Sequence, residues 1–107
     1  MTRSELIEKA IRTFGVPRQF QQFTEEMGEL LAAVSHYRRG KCTKEDLITE
    51  IADVKQMLLA IQYLFGISDE ELSEIEDRQW AKLEYQMNQV TDPYVDDFDK
   101  LPVPVAD

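Results

Sequence analysis

Cysteine is almost missing from this chain: Cys42 is the only one in 107 residues. No disulfide can form within it, and a zinc centre built on several cysteines is excluded. That usage suits a reducing compartment, so a cytoplasmic location is expected. Histidine is as scarce, with His36 alone. A carboxylate-bridged di-iron bundle needs Glu-x-x-His on its helices, and Ala33 stands three residues before His36. Basic charge is short too: 12 Lys and Arg against 21 Asp and Glu leave a formal net charge of −9. Nucleic acid polymers and anionic membrane surfaces select basic patches, so neither is an expected partner. There is no P-loop and no glycine-rich phosphate cradle. The longest apolar run, Met57 to Ile61, falls far below the ~20 residues that span a membrane. The first residues, Met1 to Glu5, lack the apolar region of a signal peptide.

The few glycines and prolines, four of each, punctuate a helical pattern. An all-α fold is expected, a four-helix bundle with an antiparallel central helix pair. Ser4 caps a first helix running to about Phe14, where Gly15 suits the stop. Pro17 fits the first turn of a second helix that reaches about Arg39 before Gly40. Thr43 with Asp46 resembles a capping box and opens a third helix to about Phe65, stopped by Gly66. Ser68 with Glu71 opens a fourth, reaching about Gln89. These helices predict one domain over 1–91. From Asp92 an acidic, extended tail follows, 92–107, because Pro93, Pro102 and Pro104 forbid a continuing helix. The tail reads either as a loosely packed end or as an arm docked through Tyr94, Phe98 and Leu101.

Apolar residues recur at helical spacing. The second helix carries Phe20, Phe23, Met27, Leu30, Val34 and Tyr37, and the third carries Leu47, Ile51, Val54, Leu58, Ile61 and Phe65. The third helix is apolar on other sides as well, with Met57, Leu59 and Leu64. Four helices can hardly surround one of their own number, so a homodimer or homotetramer is expected.

Two acidic pairs stand beside these stripes. Glu26 and Glu29 on the second helix, and Glu50 and Asp53 on the third, are each spaced i, i+3 and so project from one side of their helix. At ~100° per residue, each pair lies roughly 70° to 140° from its stripe centre, in the same rotational sense. The connection from Gly40 to Cys42 is short enough to make the two helices antiparallel. The pairs then fall on the same side of the hairpin and at similar heights. Four converging carboxylates call for a cation, and an all-oxygen set selects a hard one, Mg²⁺ first and Mn²⁺ second. Mg²⁺ commonly brings a phosphate substrate.

The segments Glu25-Glu26-Met27-Gly28-Glu29-Leu30 and Glu50-Ile51-Ala52-Asp53-Val54, on antiparallel helices, resemble the MazG-like family of all-α nucleoside triphosphate pyrophosphohydrolases. The resemblance spans roughly Gln19 to Gln89. It implies Mg²⁺-dependent hydrolysis of (d)NTPs between the α and β phosphates, giving monophosphate and pyrophosphate. It implies metal ligation by Glu26, Glu29, Glu50 and Asp53; a carboxylate not fully used by the metal, Glu26 or Glu29, is then the expected general base. It also implies dimers or tetramers. Family members often carry basic or amide residues on the last helix; here Lys82 is the best match and Arg78 a substitute, while Glu84 and Tyr85 depart from the pattern. Phosphoribosyl-ATP pyrophosphohydrolysis and a non-catalytic helical binding module are the alternatives.

Other residues bear on the substrate. Lys55 either neutralises the acidic groove, reaches phosphate, or snorkels to solvent. Gln19 and Gln22 lie on the side of Glu26 and are candidates to read a base edge, or plain surface amides. Phe14, Phe20 and Trp80 read as core residues before base-stacking ones.

Overall fold

The computed structural model describes residues 1–91. It holds four α-helices, α1 (Arg3–Phe14), α2 (Val16–Arg38), α3 (Lys44–Leu64) and α4 (Asp69–Asn88), and no strand among the described residues. The protein is all-α, as its periodicity predicts. The expected tail anchors Tyr94, Phe98 and Leu101 lie outside the described residues.

Three of the four helices open on a capping box. Thr43 Oγ1 accepts from the Asp46 amide at 3.1 Å, and the Asp46 carboxylate accepts from the Thr43 amide at 3.0 Å. Ser68 and Glu71 make the same exchange at 3.1 and 2.8 Å. At α1 the cap is Thr2 rather than the expected Ser4, with Glu5 as its partner. The reason is chemical: a box needs an acid three residues on, which Thr2 has in Glu5 and Ser4 lacks in Ile7. Gly40 and Gly66 take φ of 69° and 63°. There the chain leaves α2 and α3 through the left-handed region, where a Cβ is strained.

The chain divides into two compact units at Phe65 and Gly66. In the first, α2 and α3 form an antiparallel hairpin, and α1 packs on both. The hairpin closes at both ends. Cys42 Sγ lies 3.7 Å from the Ala33 carbonyl near the turn, and the Phe20 and Phe65 rings meet at 6.0 Å at the far end. In the second unit, α4 stands on its capping box and an Arg78–Glu74 ion pair of 3.0 Å. None of its residues is buried.

The core is Ile11, Ala33, Tyr37, Val54, Met57 and Ala60. It does not follow the densest apolar stripes. Of the expected stripes, Phe20 and Val34 on α2 and Ile51, Leu58 and Phe65 on α3 are exposed. Met57, expected off the stripe, is buried. The contact faces are turned roughly 50° on α2 and 80° on α3 from the stripe centres. The small residues Ala33 and Ala60 lie on the contact faces, where they allow close helix approach. This rotation moves both faces towards the acidic pairs, and it decides what kind of site the acids can make.

Candidate metal centre

Glu26, Glu29 and Glu50 each offer a carboxylate oxygen, and the three lie within 4.8 Å of one another. Glu26 and Glu29 stand one turn apart on α2, and the antiparallel hairpin brings Glu50 across from α3. Because the contact faces are turned towards them, Glu26 and Glu50 are half-buried, whereas Glu29 is exposed. One oxygen of each half-buried acid, Glu26 Oε2 and Glu50 Oε2, is out of solvent with no hydrogen-bond partner. Such an atom normally finds a donor or a cation.

The other oxygen of Glu26 is held. The Gln22 side-chain amide, one turn earlier, donates to Glu26 Oε1 at 2.9 Å. Glu26 is pushed above the usual carboxylate range. Desolvation is the main cause; repulsion from Glu29 and Asp53 adds to it, as does a hydrogen bond with Glu29 that only the protonated form makes. The Gln22 bond opposes the shift. Among the described residues, the ion pairs are Arg12–Glu8 and Arg78–Glu74, so no Lys or Arg neutralises the cluster.

The residues fit a hard divalent cation. Every donor is a carboxylate oxygen, the ligand type of Mg²⁺, Mn²⁺ and Ca²⁺. The three oxygens lie within 4.8 Å of one another, near enough for one ion to be reached by all of them with small side-chain adjustments. Asp53 is half-buried on the same face of α3. It lies outside the close trio, yet near enough for its charge to act on Glu26.

The remaining sequence candidates divide. Gln19 is buried on α2, and Gln22 serves Glu26. The i, i+4 spacing of Gln22 and Glu26 was the available signal for that bond. Lys55 is exposed and follows Asp53 by two positions, which places it roughly 200° around α3 from that acid. Arg78 and Lys82 are exposed on α4, Arg78 in its pair with Glu74. No family model, no curated protein and no solved structure matches this chain.

Proposed function

We propose that the chain is a Mg²⁺-dependent pyrophosphohydrolase. It would cleave standard or modified (d)NTPs to nucleoside monophosphate and pyrophosphate, in the cytoplasm, as a homodimer or homotetramer, with Mn²⁺ as a second usable metal. One observation supports the reading: two facing helices each bury a carboxylate oxygen without a partner, beside a third carboxylate, and among the described residues no basic side chain pairs with them. A divalent cation supplies the missing charge.

In this reading Glu26, Glu29, Glu50 and Asp53 hold the ion. A Mg²⁺ held by these residues would supply Lewis-acid neutralisation of the triphosphate and would make the attacking water more acidic. Of the two α2 acids, the one less engaged by metal accepts the proton of the attacking water, as a general base. Burial and the neighbouring acids raise the proton affinity of Glu26, so its carboxylate is a stronger base than a solvated one. Gln22 fixes the Glu26 carboxylate plane. Arg78 and Lys82 are proposed as phosphate contacts and Gln19 as a base contact, on their chemistry and on the family resemblance.

Pyrophosphate release from a panel of NTPs and dNTPs tests the reading, with Mg²⁺, with EDTA and with Glu50→Gln. Mg²⁺-dependent release from the wild type, lost in the variant, is the expected outcome. Release from phosphoribosyl-ATP alone would move the chain to the related histidine-synthesis reaction. No release from any of these by a folded protein would leave the non-catalytic binding module.

A further inference from the structure

The hairpin side turned away from the acids is apolar and bare. On α3, Ile48, Ile51, Leu58 and Phe65 lie along one stripe, and all are exposed. On α2, Phe20, Leu31 and Val34 are exposed as well. The 6.0 Å contact of the Phe20 and Phe65 rings shows that the two stripes share one side. At ~100° per residue, that side lies roughly 100° to 170° around each helix from the metal-site acids. The burial of such a face is worth far more than its exposure, and contiguous apolar patches of this kind mark interfaces.

Its charges are of one sign. Arg38, Lys44 and Lys55 are the charged residues at this angular position, and none forms an ion pair among the described residues. The chain as a whole carries 21 acids against 12 bases. α4 has the complementary character. Six of its first nine residues are acidic, and Leu72, Ile75, Leu83 and Met87 are exposed on it.

We propose that this face is an interface between two copies of the chain, with α4 of one copy seated on the α2–α3 face of the other. The proposal names the surface for the self-association proposed above, and it stands whether or not the acids hold a metal. The apolar stripe of the helix fills the bare face, and its acids meet Arg38, Lys44 and Lys55. Pairing the face with its own equivalent would instead set basic residues against basic ones, which is disfavoured. Reciprocal seating closes a two-fold dimer and leaves no free copy of either surface. It also leaves the acidic side of the hairpin open to a ligand.

Sedimentation equilibrium of the full chain, over micromolar to submillimolar concentration, tests this. A wild-type dimer is expected. Leu58→Glu on the face and Leu83→Glu on α4 should each weaken it at least ~30-fold, as for an interface hot spot. Both sites are exposed, and helix content by circular dichroism should stay unchanged. Lys55→Glu mixed with Glu76→Lys should form heterodimers where each variant alone associates weakly. A dimer insensitive to Leu58→Glu overturns this surface while leaving self-association intact. Loss with Leu58→Glu but not with Leu83→Glu would mean that α4 is not the occupant. A monomer throughout the range overturns both the surface and the oligomer.

Discussion

Glu26 has two oxygens in different circumstances, and its chemistry follows from the difference. Oε1 accepts from Gln22, and Oε2 is buried without a partner. Its proton affinity is raised mainly by desolvation. The folded state therefore binds this proton more tightly than the unfolded chain. In the metal-free protein, the Glu26 contribution is most favourable below the ordinary carboxylate range, and stability is lost as pH rises through that range towards the raised value. Glu26→Gln should raise Tm without metal above the ordinary carboxylate range and flatten the decline in Tm as pH rises through that range. Differential scanning calorimetry in EDTA checks both. Added Mg²⁺ should then raise Tm in the wild type and not in the variant. Gln22→Ala removes the bond that orients Glu26 and should cost ~10–100-fold in Mg²⁺ affinity. Isothermal titration calorimetry reads that, with an unchanged far-UV spectrum as the fold control.

At the scale of elements, the α2–α3 hairpin supports the site through its turn and its buried contact face. Thr43 exchanges two hydrogen bonds with Asp46 at the start of α3. Thr43→Ala should lower stability by ~1 kcal/mol, measurable in urea unfolding. Met57 is buried on the face of α3 that meets its neighbours. Met57→Ala should cost ~2–5 kcal/mol, towards the lower end because the core is thin. The capping boxes of α3 and α4 and the glycine stops were legible, because each depends on residues within one turn. The contact faces were not. Ile51 and Val54 have the same apolar character and stand three residues apart, yet Ile51 is exposed and Val54 is buried. Periodicity finds a stripe. It cannot say which edge of a wide stripe meets a neighbour.

For the molecule as a whole, charge sets the expected partners. A net charge of −9 should keep the chain from binding duplex DNA or anionic vesicles at physiological salt. Gel-shift and vesicle co-sedimentation measurements should show no binding. A shift of DNA would instead point to the basic residues of the hairpin, Arg38, Lys44 and Lys55, as a nucleic-acid surface.

The sequence by itself determined the all-α class, the number of helices, their stops and the two acidic pairs, because those depend on short-range spacing and capping chemistry. The hairpin followed as well, since the three-residue connection Gly40 to Cys42 allows little else. Only the tertiary structure decided the rotation of α2 and α3 about their axes. That rotation buries one oxygen each of Glu26 and Glu50 and turns Lys55 away from them. It also bares Ile51, Leu58 and Phe65 on the far side. The physical reason is close packing: Ala33 and Ala60 let the helices approach along a narrow face that also carries Glu26, Glu50 and Asp53. Such a choice depends on shape matching between residues far apart in the chain, which no local pattern records.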